Sequence, residues 1–271
     1  RFVFADGSRF IFRLSGTGEY LALVNPDGLF IEDVIRPVYP EQFTDISYGR
    51  PTSGGGRKYF SAPSPGIANV GAGSPGVVKD TNFSINRGFY DAPFDLSIIS
   101  QSREATIRYT LDGSLPSLTN GMTYSGPINI TTTTNVRAIA YLESRNFIPT
   151  NVDTHTFIFL DDVETQNSAG LIAKGWAEDW GYDSQVRRVI PADYDMDPRV
   201  VNDTLNLRAP GYSVRDALLD IPSVSLTMKQ EDFVTTRDGT STSPKSLYGT
   251  PRDRFEKICS IEYILPDGSR G

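Results

Sequence analysis

A single cysteine, Cys259, and a single histidine, His155, occur among the 271 residues of the chain. One cysteine excludes a disulfide within the chain, so buried apolar cores must hold the fold together. The longest apolar runs, such as YLALV and FIFL, are far shorter than the ~20 residues that cross a bilayer. We therefore expect neither a disulfide framework nor a membrane span in this segment.

Positive charge is also scarce, because Lys and Arg total 26 against 33 Asp and Glu, which gives a net charge of −7. Nucleic-acid binding needs clustered basic side chains, and no such stripe occurs, so we expect no nucleic-acid partner. With 38% apolar and 22% charged residues, the composition is that of an ordinary folded protein of two or three modules. The chain starts at Arg1 and ends in LPDGSRG, so we expect it to be a piece of a longer protein.

Apolar and polar residues alternate in the stretches EYLALV, FDLSII, ATIRYTL and NVRAIAYL. This period of two predicts β-strands with one buried face and one solvent-facing side. Asp-Gly pairs separate such runs, at Asp6-Gly7, Asp27-Gly28, Asp112-Gly113, Asp238-Gly239 and Asp267-Gly268. Since Asp-Gly adopts the positive backbone angles of tight hairpins, we interpret these pairs as turns and not as acidic ligands.

Two segments interrupt the strands. Residues 61–76 are rich in proline and glycine and carry almost no charge, a composition typical of linkers. Residues 161–220 change character again and contain two signals for short helices. Pro198 follows Asp197 as a first helical residue does, and Ser213 stands where a cap for VRDALL would lie.

The first third of the chain resembles a known family. FRLSGTGEYLALVNPDG (12–28), YPEQFTDISYGR (39–50) and YFSAPSPGIAN (59–69) resemble the C-terminal half of lamin-tail-type domains. The resemblance implies an immunoglobulin-like sandwich that lacks its opening strands. An incomplete sandwich leaves strand edges open, so assembly by edge pairing with another chain is an expected mode of association.

Two further resemblances follow along the chain. FSINRGFYDAPFDLSI, ATIRYTLDGSLPS, YSGPINITTTTNVRAIAY and NVDTHTFIF resemble the Ig-like module at the C-terminus of chitobiases and β-hexosaminidases. ADYDMDPRVVND, DIPSVSLTMKQEDF and SIEYILPDGSRG are similar to the lead-in and first strands of CotH-type spore-coat kinase domains. This order is typical of large bacterial surface or secreted proteins. The chain ends before the region that holds nucleotide and metal in that kinase family, so no catalytic residue is assigned.

The prediction is therefore a mainly β chain of tandem immunoglobulin-like β-sandwiches with an irregular connector and an incomplete C-terminal domain. Its expected parts are a partial lamin-tail-type sandwich over 1–69, a linker over 70–78, a hexosaminidase-C-type Ig-like sandwich over 79–160, a connector with short helices over 161–220, and the first strands of a CotH-like domain over 221–271.

Three acidic residues are a candidate metal site. Asp193, Asp195 and Asp197 follow the i, i+2, i+4 spacing that could direct oxygen ligands at Ca²⁺. The EF-hand template fails, because Pro198 occupies its glycine position and Thr204 its bidentate glutamate position. The alternative is a solvated acidic turn in which Asp197 caps a short helix.

Two tryptophans are a candidate carbohydrate site. Trp176 and Trp180 could form an aromatic platform, since sugars stack on exposed rings. Both lie in the connector and outside the hexosaminidase-like module. The alternative is that they anchor the connector onto a sandwich.

No catalytic constellation appears in the sequence. His155 shares a strand face with Phe157 and Phe159, and no G-x-S-x-G elbow accompanies it, so we interpret it as a core residue. We expect a non-catalytic structural or adhesive segment of a bacterial extracellular or cell-envelope protein, with other protein chains or surface polymers as partners and no cofactor apart from Ca²⁺. The alternatives are the N-terminal regulatory portion of a CotH-like kinase and a carbohydrate-binding module.

Overall fold

A computed structural model describes residues 2–3, 9–10, 14–183, 185–204, 209–230, 235–237, 241–243 and 258–266. The chain divides into two compact units. The first unit comprises Arg1–Val77 with Glu143–Ile148, and the second comprises Val78–Leu142 with Pro149–Gly271. Strand is the dominant structure, at 33% against 12% helix, so the predicted mainly β, Ig-like fold class is confirmed.

The first unit consists of antiparallel two-stranded pairs, β1 with β2, β3 with β4, and β5 with β6. Their bounds are β1 Phe2–Val3, β2 Arg9–Phe10, β3 Leu21–Val24, β4 Ile31–Ile35, β5 Ser47–Gly49 and β6 Lys58–Phe60, and a 3-10 helix covers Glu143–Arg145. The turn between β3 and β4 contains Asp27, which accepts a hydrogen bond from the Leu29 amide at 2.9 Å. Gly28 has a φ of 75°, so this Asp-Gly pair is a turn, as predicted.

Tyrosines hold the loops of the first unit. Tyr39 and Tyr59 are buried, and each hydroxyl still finds a backbone acceptor. The Tyr39 hydroxyl donates to the Ser15 carbonyl at 2.7 Å, and the Tyr59 hydroxyl donates to the Glu41 carbonyl at 2.9 Å. A buried hydroxyl without a partner would cost stability, so the loops that supply the Ser15 and Glu41 carbonyls are held beside these two tyrosines.

The second unit begins with an Ig-like domain of three sheets. Its strands are β7 Thr81–Phe83, β8 Gly88–Tyr90, β9 Phe94–Leu96, β10 Ile98–Ser100, β11 Thr106–Thr110, β12 Met122–Thr123, β13 Ile128–Ile130, β14 Thr134–Tyr141 and β15 Asp153–Phe159. A five-stranded sheet has the order β12-β11-β14-β15-β8, and two small sheets pair β7 with β10 and β9 with β13. The β15–β8 pair is parallel, and the other pairs are antiparallel.

Apolar residues from the small sheets and the large sheet form the core of this domain. Leu96, Ile98, Ile130, Val136 and Phe157 are at most 2% exposed. The Phe94 and Phe157 rings meet edge-to-face with 5.2 Å between their centroids, a preferred aromatic geometry. The alternation read from FDLSII and NVRAIAYL therefore identifies the inward face of the sandwich.

The connector contains more helix than the sequence indicates. Its elements are α1 Leu160–Glu164, α2 Ser168–Ala173, β16 Asp179–Asp183, β17 Arg188–Pro191, α3 Pro198–Val201 and α4 Val214–Asp220. The two predicted helices are present: Asp197 accepts from the Arg199 amide at 2.8 Å, and Ser213 forms a capping box with Asp216. Helices α1 and α2 are short and were read only as connector.

The C-terminal strands are β18 Ser223–Thr227, β19 Thr235–Arg237, β20 Ser241–Ser243 and β21 Ser260–Ile264. β18 pairs with β21 in antiparallel register, and side chains of this pair contact the outer face of the five-stranded sheet at β14 and β15. Both faces of β14 are consequently buried: Arg137 is 2% and Ile139 8% exposed on one face, and Val136 is 0% exposed on the other. The prediction of a half-buried strand is wrong for β14, because a second layer covers its polar side.

No helix in the described ranges has the length and apolar character needed to cross a membrane. The predicted domain boundaries, including the linker at 70–78, remain predictions.

Candidate functional site

A cleft of about 790 Å³ lies in the second unit, and we name it the connector cleft. The Asp112-Gly113 turn and residues 132–135 form one side, α1, α2 and Trp176 form the second, and β18 with Gln230 forms the third. Its volume falls within the ~300–1,000 Å³ of small-molecule sites. The lining mixes hydroxyls and amides with leucine, valine and tryptophan side chains.

The turn at Asp112-Gly113 is held in a single conformation. Asp112 Oδ1 accepts from the Ser114 amide at 3.0 Å and from its hydroxyl at 2.6 Å. Gly113 has a φ of 76°, and a Cβ at this residue would lie 2.2 Å from the Met228 carbonyl oxygen. Only glycine therefore permits this close approach of the turn to the end of β18.

Trp176 is placed by the end of α2. Asn167 caps the start of this helix and accepts from the Gly170 amide at 2.8 Å. Gly175 then takes a φ of 87°, and the Trp176 amide donates to the Leu171 carbonyl at 3.1 Å. This glycine-based helix ending turns the chain back, so Trp176 lines the cleft beside the helix.

Tyr194 supports Trp176 from behind. The two rings meet edge-to-face with 5.9 Å between centroids. The Tyr194 hydroxyl donates to the Ala177 carbonyl at 3.1 Å, and the Tyr194 carbonyl accepts from Gln166 Nε2 at 2.7 Å. Burial raises the pKa of the Tyr194 hydroxyl, so it remains a donor at neutral pH. Trp176 thus anchors the connector and lines the cleft. The side chain of Trp180 lies outside the described residues.

The three aspartates of the predicted Ca²⁺ site make separate local contacts. Asp193 accepts from the Asp195 amide at 3.1 Å, and Asp195 accepts from the Ser168 amide at the start of α2. Asp197 caps α3 and pairs with Arg199 at 2.7 Å, contacts that hold its pKa below the ordinary value. Within the described part of the chain, no three His, Cys, Asp or Glu residues are grouped to hold a metal ion. The Ca²⁺ hypothesis gains no support from this geometry.

The charged groups of the cleft nearly balance. Burial alone would raise the pKa of Asp112, but its hydrogen bonds from Ser114 outweigh burial and lower the pKa. Asp162 Oδ2 accepts from the Thr133 amide at 2.6 Å. Lys174 at the end of α2 supplies a positive charge to the lining. Two carboxylates and one ammonium therefore face one cavity.

The third side of the cleft combines apolar and amide groups. Val224 and Leu226 on β18 are 60% and 54% exposed and line the cleft, so they give this side an apolar surface. Gln230 Nε2 is buried and has no hydrogen-bond partner among the described residues. A buried amide donor without a partner costs stability, so this group favours a ligand or water in the cleft that accepts a hydrogen bond from it.

The floor of the cleft is a polar seam, which we define as the contacts between β14–β15 and β18–β21. Asn135 Nδ2 donates to Thr227 Oγ1 at 2.9 Å and to Thr156 Oγ1 at 2.6 Å. The hydroxyls of Thr156 and Ser225 are 2.7 Å apart. Asn135 and Thr227 also line the cleft, so the seam and the cleft share a wall.

A buried carboxylate lies deeper in this seam. Glu262 is 2% exposed, pairs with Arg87 Nη1 at 2.8 Å and accepts from the Thr156 amide at 3.2 Å. Burial raises the pKa of Glu262, although the Thr156 bonds and Arg87 oppose it. Arg137 Nη1 donates to the Gly113 carbonyl at 2.8 Å, and its Nη2 donates to Ser260 Oγ at 2.9 Å. The seam is therefore ionic and directional.

The sole histidine, His155, and the sole cysteine, Cys259, do not line the cleft. His155 is buried and stacks on Phe83 with 4.2 Å between ring centroids, as expected of a core residue. Cys259 is half-buried next to β21 and is a free thiol. The pairs Asp6-Gly7, Asp238-Gly239 and Asp267-Gly268 lie outside the described residues.

Sequence reasoning missed Gln230, Lys174 and Glu262. A signal for the seam was present, because Ser223, Ser225 and Thr227 alternate with the apolar residues of β18. That pattern indicates a polar inner face, and it would have directed attention to the strand that pairs with it. No comparable signal marks Gln230, since its position depends on the fold.

Residues 90–157 match the family model described as Fn3 associated. This stretch is therefore similar to Fn3-associated domains, and it runs from β8 to β15. The predicted Ig-like module is confirmed at this coarser level, whereas the lamin-tail, hexosaminidase and CotH resemblances remain predictions. No curated protein and no solved structure matches the chain.

The Fn3-associated stretch supplies only part of the connector cleft. The Asp112-Gly113 turn and Asn135 lie within the matched residues, whereas α1, α2, Trp176 and β18 lie after them. The cleft is thus built by the docking of later residues on this domain. It depends on the polar seam that holds β18 and β21 in place.

Proposed function

We propose that the chain is a non-catalytic structural and adhesive segment of a bacterial extracellular or cell-envelope protein. The Fn3-associated match and the Ig-like fold support a structural module, since such sandwiches carry their contacts in end loops and added segments. The partners that we propose are other protein chains or surface polymers. The sole histidine, His155, is 6% exposed and stacks on Phe83, so the role that we propose assigns it to the core and not to catalysis.

The polar seam is the observation that carries the structural part of this proposal. Glu262 and Ser260 of β21 have directional partners in Arg87 and Arg137, and a shift of β18–β21 on β14–β15 would break both contacts. Buried ionic networks specify a geometry even where they add little net stability, and we propose that role here. The connector and the Fn3-associated domain would then extend along a longer protein as one stiff piece.

Hydrogen exchange of the full chain tests this structural role. We expect the amides of β15 and β18 to exchange at the same slow rate, because they open together. In Thr156→Val, which removes the hydroxyl shared by Ser225 and Glu262, exchange of β18 should accelerate more than exchange of β9. Independent exchange of β18 in the unmodified chain would contradict the proposal.

Two further measurements test location and the absence of catalysis. An antibody against this chain should label intact cells of the source organism without permeabilisation.

Incubation of the chain with labelled ATP and Mg²⁺ should transfer no label to the chain or to a general protein substrate. Labelling only after permeabilisation would overturn the location, and transferred label would favour the kinase alternative.

A further inference from the structure

We propose that the connector cleft binds a neutral oligosaccharide through Trp176, Gln230 and the carboxylates of Asp112 and Asp162. This inference deepens the adhesive half of the proposed function and rests on it, because it names the class of surface polymer. The cleft needs β18 in place, so the experiments below separate the adhesive half from the structural half by their readouts. The argument starts from the polar atoms that the cleft presents.

Donors and acceptors are both available in the cleft. Gln230 Nε2 is buried and lacks a partner among the described residues, so it can donate to a ligand. Asp162 uses Oδ2 for Thr133, and Asp112 uses Oδ1 for Ser114, so the second oxygen of each carboxylate can accept. A sugar hydroxyl is at once a donor and an acceptor, and a polyol therefore satisfies both kinds of group.

The charge of the cleft favours a neutral ligand. Its ionisable lining groups are Asp112, Asp162 and Lys174, and the positive charge of Lys229 also acts on Asp112, so positive and negative charges balance. Phosphate and nucleic-acid ligands require clustered positive charge, and the whole chain carries −7. An acidic polysaccharide would gain no net attraction from a cleft in which the two carboxylates offset the two ammonium groups. Uncharged hydroxyl groups need no net charge in the cleft in order to bind.

The apolar part of the cleft suits the carbon faces of sugar rings. Trp176 is held by Tyr194 and offers a flat, rigid surface at little entropic cost. Val224 and Leu226 on the opposite side are exposed to solvent. Pyranose rings present C–H faces alternating with hydroxyl edges, and a cleft with apolar walls and polar groups between them complements both.

Screening the full chain against immobilised glycans tests the inference directly. The array should hold neutral oligosaccharides, acidic polysaccharides and extended peptides, so that each ligand class is represented. We expect binding to a subset of neutral oligosaccharides of several rings. No binding, or binding confined to acidic polysaccharides or peptides, would overturn the proposal.

Variants then locate the binding on the cleft. With the best neutral oligosaccharide in calorimetry, Trp176→Ala and Gln230→Ala should each weaken binding by about tenfold, since each removes one stacking or hydrogen-bonding contact. Gln101→Ala is the matched control, because Gln101 is an exposed glutamine of the same unit outside the cleft. Equal affinity in the Gln230 and Gln101 variants would place the sugar elsewhere.

A fluorescence measurement covers the case in which Trp176→Ala disrupts folding. Trp180→Phe leaves Trp176 as the single tryptophan of the chain. Addition of the oligosaccharide should then shift Trp176 emission to the blue, and an unshifted spectrum under saturating ligand would contradict the proposal. If binding fails while β15 and β18 still exchange together, the inference falls and the structural role stands. If β18 exchanges independently, the structural role falls whatever the binding result.

Discussion

The Glu262 carboxylate and the Arg87 guanidinium are 2.8 Å apart inside a seam that leaves Glu262 only 2% exposed. Arg87 precedes β8 of the Ig-like domain, and Glu262 lies in β21, far along the chain. The pair therefore joins the last described strand to the domain that begins the second unit. Its ionic character makes several consequences measurable.

Removal of Arg87 should destabilise the second unit. Arg87→Ala would leave Glu262 buried without its ion-pair partner, and we expect the free energy of unfolding to fall by about 3 kcal/mol. Urea unfolding of the full chain measures this change. The matched control is Arg199→Ala, since the Arg199–Asp197 pair is exposed, at 71% and 40%, and its removal should change the free energy of unfolding far less than Arg87→Ala does. Similar losses in the two variants would show that the seam pair behaves as a surface pair.

Glu262 should make stability depend on pH in a defined direction. Its pKa in the folded chain is raised above the ordinary value of 4.5, so the folded state holds the proton more tightly than the unfolded state. The contribution of this carboxyl is thus complete below pH 4.5 and is lost as pH rises through the raised pKa. Glu262→Gln should flatten the pH profile of the urea midpoint in that window. If the urea midpoint instead rose with pH more steeply in the unmodified chain than in Glu262→Gln, the prediction for Glu262 would be contradicted.

Asp33 should give the opposite dependence in the first unit. Hydrogen bonds from Arg57 and Arg50 lower its pKa to about 2 from the ordinary 3.8. Stability that this carboxylate contributes is present above pH 3.8 and is lost as pH falls through about 2. Asp33→Asn should remove that acid-dependent loss, which near-ultraviolet circular dichroism of the buried Tyr39 and Tyr59 would follow during acid titration. An identical acid titration for the variant would exclude Asp33 as its source.

Gly113 should tolerate no side chain. Gly113→Ala would force a Cβ to within 2.2 Å of the Met228 carbonyl at a φ of 76°, and we expect a loss of about 3 kcal/mol from backbone strain and overpacking together. Gly211→Ala is the control, because Gly211 has a φ of 81° in the same unit and open space around its Cβ position. That variant should lose only the ~1–2 kcal/mol of the left-handed backbone. Thermal unfolding compares the two, and equal losses would contradict the close approach to β18.

Local sequence signals predicted local structure well. Asp197 before Pro198 and Ser213 before Val214 are helix starts in the structure, because a cap forms within three residues of itself. The Asp27-Gly28 and Asp112-Gly113 turns follow for the same reason. α1 and α2 were missed because they are short and lack a sustained apolar period.

The candidate site was only half predictable. Trp176 was identified as an aromatic of interest, with anchoring and sugar binding left as alternatives, and it both contacts Tyr194 and lines the cleft. Gln230 could not be identified from the sequence, because a glutamine becomes a candidate binding residue only when the fold buries its amide without a partner. The alternation in NVRAIAYL predicts solvent on the face that carries Arg137, yet Arg137 is 2% exposed and donates to Ser260 Oγ of β21.

Residue order alone accounts for the strands, their inward faces, the Asp-Gly turns and the capped helices, since each depends on neighbours a few positions away. Folding in three dimensions decided that β14 is covered on both faces, that Glu262 meets Arg87, and that Trp176 and Gln230 line one cleft. The physical reason is that these contacts join residues far apart along the chain, whereas sequence patterns report only on near neighbours. Periodicity shows which side of a strand is polar, but a polar side can meet either water or another polar strand, and only the packed structure distinguishes the two.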